Sequence, residues 1–461
     1  MDSDGSDSDP MLRSSSQLSM PLLPVAEGDV RGPRAPATHA TAGLLGSVFN
    51  LCAATLGAGA LSLPYAVSLV GVRLALALLA VAVVGAFLSI ELLVAALDSA
   101  GCSTYEAVTR KRLGARAAAL VEVAILAFCV GTCVAYTIAL GDILDQLLAK
   151  PKLLPSWAPH TRTQLTIAAW ALLLLPISLP RSLAALQSAT FVSTAALCVL
   201  VGTVVAHAAR ADTPQSPPLP SPPPAGPGGA ALAEVSRLAS ALSIIMFAFT
   251  CQVNVPEVYA ELRDRSARRM RISTAGALAT ALVLYVLVGV AGFWEFGRET
   301  RSDILQNYDV WAADGRDRGM LPAYALMGVA IVVAYPFNVL PARQTILVAL
   351  GADERGAGVG LRGRLGEGAL HVALTVAITG SSLICALFVP GIHIVFQLLG
   401  GTASALVCFC VPGLLALRSE LPLLEGRSAR LAVFLLVGGG ALVGVVSTLV
   451  TVMGLVVGEG R

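Results

Sequence analysis

The sequence predicts an all-α polytopic membrane protein of about eleven transmembrane helices, on three observations. The first is composition: across 461 residues, 56% are hydrophobic and 13% charged, and the mean hydropathy is +0.77. Soluble domains rarely reach such values. The second is the recurrence of apolar runs near the length of roughly 20 residues that a helix needs to cross hydrocarbon. These fall at 42–68, 73–97, 117–147, 164–180, 183–208, 232–256, 272–294, 320–342, 367–389, 391–416 and 430–456, and are called spans one to eleven. The third is that the basic residues collect in alternate loops.

One set of loops carries Arg110, Lys111, Arg112 and Arg116, then Arg263, Arg265, Arg268, Arg269 and Arg271, then Arg343, Arg355, Arg362 and Arg364, and finally Arg418, Arg427 and Arg430. The positive-inside rule makes this side cytosolic. An odd number of spans then leaves the N-terminus in the cytosol and the C-terminus on the outer or lumenal side. Residues 1–40, rich in Ser, Asp and Pro and without apolar periodicity, read as a disordered cytosolic tail. The acidic, polar start is not that of a cleavable signal. Residues 41–456 form the transmembrane domain. Within it, 213–229 (TPQSPPLPSPPPAGPGG) reads as a stiff, Pro-rich, non-cytosolic connector. None of the four asparagines begins an Asn-x-Ser/Thr sequon. The formal charge of +2 comes from scattered residues and gives no sign of a nucleic-acid partner.

Span one, TAGLLGSVFNLCAATLGAGALSLPYA, is interrupted by Gly57-Ala58-Gly59 and closed by Pro64. Backbone polar groups in hydrocarbon need partners, so a helix unwinds there only where something else receives them. Glycine also serves close helix packing in membranes, and the window alone leaves both readings open. Span six has a second interruption, Phe247-Ala248-Phe249-Thr250-Cys251-Gln252-Val253-Asn254-Val255-Pro256, with a hydroxyl and two amides in an apolar run. Such groups are costly at membrane depth unless they face a cavity or a partner. The two breaks lie five spans apart, the spacing of a 5+5 inverted repeat with one helix appended. Broken helices at matching places in two halves mark the binding site of secondary transporters.

With these residues in hand, the chain resembles the amino acid/auxin permease superfamily, and within it the sodium-coupled neutral amino acid transporters and vacuolar amino acid transporters. The stretches that carry the resemblance run in family order from Val48-Phe49-Asn50 through Gly57 to Ala66, then Gly131-Thr132-Cys133 with Gly141-Asp142, and Leu175 to Arg181. They continue with Phe247 to Gln252 leading to Pro256-Glu257-Val258-Tyr259-Ala260-Glu261-Leu262, Tyr335 to Arg343, and Gly400-Gly401-Thr402-Ala403-Ser404 before Pro412. The resemblance implies the bacterial leucine-transporter fold and alternating access for amino acids.

An amino acid presents a carboxylate and an ammonium. Open amides at Gly57, Ala58 and Gly59, at a half-helix N-terminus, suit the carboxylate. Carbonyls around Phe247, Phe249 and Thr250 suit the ammonium. Thr55, Thr132, Thr250 and Gln252 offer side-chain contacts, and Phe247, Phe249 and Tyr136 set the limit on substrate size. No unpaired charge lies beside the breaks, which favours neutral substrates. In the sodium-coupled relatives an asparagine in span one and a threonine in span eight help hold sodium; here Ala53 and Val332 stand at those positions. Sodium needs oxygen ligands, so the coupling ion is left as sodium or a proton. Asn50 and Ser382 offer other oxygens, and Glu91 in span two is the leading candidate for proton coupling, ahead of Glu122, Asp142 and His393.

No nucleophile–base set, phosphate loop or metal-ligand cluster stands out, so neither an enzyme, a metal site nor a cofactor is expected. The cysteine pairs Cys129/Cys133 and Cys408/Cys410 lack His or acidic partners in sequence and read as packing. The remaining expectation is a carrier in the vacuolar, lysosomal or plasma membrane. A membrane receptor that senses amino acids with little flux is the alternative.

Overall fold

In the computed structural model, residues 43–149, 161–180, 190–210, 227–312, 315–349, 366–419, 421 and 426–457 are described, and those described residues that form regular elements are helical. The tail 1–40, the connector over 213–226, and Arg355, Arg362 and Arg364 lie outside the described residues. Nine of the described helices are long and apolar enough to cross a membrane, and span one, bent by 49°, makes a tenth. The fourth predicted span is a shorter apolar segment, Arg162–Ser178, with a π-helical turn over Trp170–Leu174.

Two boundaries differ from the sequence reading. The helix of span six begins at Pro227, so residues 227–229 open the helix instead of closing the connector. Proline is accepted in a first turn because no intrahelical N–H is needed there. That helix ends at Ala248, and the polar stretch after it separates it from a half-helix at Val255–Glu261. A short helix, Tyr105–Leu113, capped by the Thr104 hydroxyl, lies between spans two and three.

The inner half of span one, Leu44–Thr55, packs chiefly on spans seven and five, and its outer half, Leu63–Val70, on spans six and seven. Span seven (Ala267–Phe296) makes room with glycines on one face. A Cβ at Gly292 would lie 2.8 Å from Pro64, and one at Gly289 3.2 Å from Val67. Tyr285 is on the same face, since i, i+4 and i+7 align on a helix.

Span ten is the innermost helix: 83% of its apolar window is buried, against 22% for span eleven, which lies at the edge. It runs as Ile392–Leu399, a π-helical stretch over Gly400–Cys410, and Val411–Arg418. A π-helix leaves carbonyls off the regular ladder. Those of Val407 and Cys408 accept from the hydroxyls of Tyr105 and Ser89. Gly400 admits no side chain, because a Cβ there would lie 2.0 Å from the Ser243 carbonyl of span six.

Candidate functional site

Span one breaks through one residue. Leu56 has φ −80° and ψ 75°, and the Gly57 N–H reaches back to the Thr55 carbonyl at 3.0 Å. This is an inverse γ-turn. A short 3-10 turn over Ala58–Ser62 then leads into the helix closed by Val70. The Gly57 amide is therefore committed to the turn and is not the open donor expected from the sequence. Ala58 and Gly59 begin the 3-10 turn, where backbone N–H groups have no intrahelical partner.

In span six the Phe247 carbonyl accepts from Thr250 N–H at 3.0 Å, and the Met246 carbonyl accepts the Thr250 hydroxyl at 2.8 Å. The Ala248 carbonyl is also taken, by Tyr285. The carbonyls at Phe249 and Thr250 remain in the break. The Gln252 side chain is wholly buried. Its Oε1 accepts from Cys251 N–H and from the Cys408 thiol, both at 2.9 Å, while its Nε2 has no partner among the described residues.

The two breaks meet. A Cβ on Gly59 would stand 3.1 Å from Ala248 Cα, and one on Gly57 2.9 Å from the Tyr136 hydroxyl. Tyr285 joins the two half-helix ends, its hydroxyl lying 2.6 Å from the Thr55 carbonyl and 2.9 Å from that of Ala248. Phe247 stacks on Phe396 with ring centres 4.4 Å apart and tilts against Phe128. Phe249 turns away from this group and packs edge-on against Tyr285. Next to the break, a cavity of ≈ 10 Å³ is lined by Leu56, Gly57, Ala58, Tyr136 and residues of spans five and eight. That is room for about one water, so the breaks are packed shut.

The other expected site residues divide. Thr55 and Thr132, like Thr250, donate their hydroxyls to the carbonyl four residues back, Leu51 and Phe128 respectively. Each keeps only acceptor capacity for a ligand. Asn50 and Ala53 lie on the inner half of span one and Val332 on span eight; neither Ala53 nor Val332 lines the small cavity. Ser382 bonds Tyr335 at 2.7 Å and the Thr379 carbonyl at 2.8 Å, tying span nine to span eight. Glu91 is not a lone carboxylate: it forms an ion pair with Arg271 in the first turns of span seven. Glu122 likewise pairs with Arg110 at 2.7 Å.

Three contributors escape the sequence reading: Tyr285, Cys408 and Phe396. Tyr285 carried a signal, a hydroxyl deep in an apolar span that needs an acceptor. For Cys408 and Phe396 nothing local distinguishes them from packing.

Comparison with known proteins finds related transporters. Sodium-coupled neutral amino acid transporter 7 of Xenopus laevis is 29% identical over 384 residues, covering 82% of this chain and 81% of that protein. Vacuolar amino acid transporter 5 of Schizosaccharomyces pombe is 26% identical over 377 residues, covering 81% and 83%. Among solved structures, a manganese transporter mutant from Eremococcus coleocola superposes with a TM-score of 0.53 over 92% of this chain and 89% of that one, at 12% identity. That likeness concerns the fold alone, a leucine-transporter-like arrangement of helices. The family described as "Transmembrane amino acid transporter protein" matches residues 40–452, and with nearly the whole helical domain inside that match the chain belongs to this family.

Proposed function

We propose that this protein is a secondary active carrier that moves neutral amino acids across a membrane by alternating access. The observation that carries the reading is the meeting of the breaks at Gly59 and Ala248, with both half-helix ends drawn to Tyr285. The amides of Ala58 and Gly59, at the start of a helical segment that runs to Val70, receive the carboxylate. The Phe249 and Thr250 carbonyls, at the C-terminal end of a half-helix, receive the ammonium. Phe247, held by Phe396, bounds the side chain. A cavity of ≈ 10 Å³ is too small for any amino acid, so the closed packing fits an occluded form that opens to load.

The driving ion in this reading is the proton. Ala53 and Val332 bring no oxygen where sodium-coupled relatives place side-chain ligands, and a hard cation depends on them. The carrier belongs in an acidic vacuolar or lysosomal membrane, with the plasma membrane as the alternative address.

Uptake of labelled neutral amino acids into proteoliposomes tests this, with proton and sodium gradients imposed separately. Concentrative uptake driven by protons alone is the expected result. Dependence on sodium would overturn the choice of ion. Binding without flux under either gradient would replace the carrier with a sensor.

A further inference from the structure

The turn between spans seven and eight sits on the outer half of span one. The Ser62 hydroxyl donates to the Ser302 carbonyl, Ile304 packs against Gly292 beside Pro64, and the Tyr324 hydroxyl of span eight donates to the Leu305 carbonyl. Gln306 reaches span three, donating to Asp142 at 2.7 Å, and Gln146 near the outer end of span three donates to the Tyr308 carbonyl at 3.1 Å. These contacts make residues 300–308 a cover over the half-helix that ends the span-one break.

Inside the cover lies Asp303, with no exposed surface. Its Oδ1 accepts the Leu305 N–H at 2.9 Å, and its Oδ2, also buried, has no partner among the described residues. Ionised carboxylates take several hydrogen bonds when buried, and one left short is driven to hold a proton. Asp142 next to it is already engaged on both oxygens, by Arg162 and Gln306. Beyond Asp142 lies a cavity of ≈ 340 Å³, lined also by Asp145, Arg162 and Arg301.

We propose that Asp303 is a proton-binding latch: it takes a proton from the outer compartment when the 300–308 cover seats on span one, and gives it back when the cover lifts. This deepens the reading of the two breaks as a carrier's substrate site, because the cover governs the outer half of that site. The groups around Asp303 are mostly acidic. Span three brings Asp142 and Asp145, and span eight brings Tyr324 with Asp317 just before it. The cover itself carries Arg301, Tyr308 and Asp309, and His393 at the start of span ten stands near Ser302. The Arg162 charge opposes protonation of Asp303. Burial first, and the Asp142 charge second, push the Asp303 carboxyl from 3.8 up to about 8.

The sign follows. The seated cover holds more protons than the lifted one, so its advantage is full at acid outer pH and fades as pH rises through about 8. Between the two values seating strengthens about tenfold per pH unit, the slope of one proton.

Hydrogen exchange on the full chain in lipid nanodiscs tests this without relying on transport. Protection of residues 300–308, corrected for the intrinsic pH dependence of exchange, is compared between about pH 5.5 and 7.5 in sodium-free buffer. Wild-type protection should fall about tenfold per pH unit, and Asp303→Asn should make it flat. Asp142→Asn, which removes the neighbouring negative charge, should move the fall to lower pH. A flat wild-type profile, or a slope that survives Asp303→Asn, overturns the assignment. So does sodium that protects the cover at constant pH, which would make the ligand a cation. PH-dependent protection in a protein without flux would instead defeat the carrier reading and leave the latch standing.

Discussion

The Tyr285 hydroxyl lies 2.6 Å from the Thr55 carbonyl, the last residue of the inner half of span one, and from the same position reaches the Ala248 carbonyl of span six at 2.9 Å. One proton is shared between two buried acceptors, each at the negative end of a half-helix. Tyr285 therefore holds together two breaks that lie almost two hundred residues apart in sequence.

Tyr285→Phe removes that proton, leaving the Ala248 carbonyl buried without it and the Thr55 carbonyl with the Gly57 N–H alone. An unsatisfied buried group costs about 1–3 kcal/mol. The variant should reach the membrane, unfold at lower temperature in a detergent melt, and transport with a clearly reduced maximal rate. Wild-type rates in Tyr285→Phe would remove this hydroxyl from the mechanism.

Gly59 tests the contact between the breaks. Gly59→Leu puts a large side chain where even a Cβ stands 3.1 Å from the Ala248 backbone, and should abolish uptake at normal membrane abundance. Gly202→Ala is the control, since nothing lies within 4 Å of a Cβ there. It should transport as wild type.

Phe247 should set substrate size. Removing its ring by Phe247→Ala opens space against Phe396 and costs stability, about 3–5 kcal/mol for a buried Phe in measured series. Competition uptake should then show relatively better acceptance of larger neutral side chains. An unchanged order of preference would place the size limit elsewhere.

Glu91→Gln breaks a pair whose Arg271 partner is 52% exposed, so screening keeps its contribution at about 1 kcal/mol or less. Proton-driven uptake should persist in this variant. Its loss with folding intact would return the coupling role to Glu91.

Much of this fold can be read directly in the sequence, because a bilayer leaves the backbone few choices. The lengths of the apolar runs and the alternation of Arg-rich loops follow from hydrocarbon thickness and charge. Gly57-Ala58-Gly59 and the polar run Thr250 to Asn254 show the breaks, since a lipid-facing helix would not contain them. Boundaries were less legible: Pro227 reads as part of a Pro-rich connector, yet it starts a helix because a first turn needs no N–H from it. The choice of open amides also depended on local geometry, as the γ-turn at Leu56 consumes the Gly57 donor.

By itself, then, the sequence determined the membrane class, the family and the two breaks, all properties written in local patterns of hydropathy and polarity. Only the tertiary structure decided which groups complete them. Tyr285 bridging Thr55 and Ala248, Arg271 holding Glu91, Cys408 on Gln252 and Asp303 buried beside Asp142 each join distant parts of the chain. A hydrogen bond or an ion pair depends on distance in space, and no local pattern encodes which helix packing will bring two such groups within 3 Å.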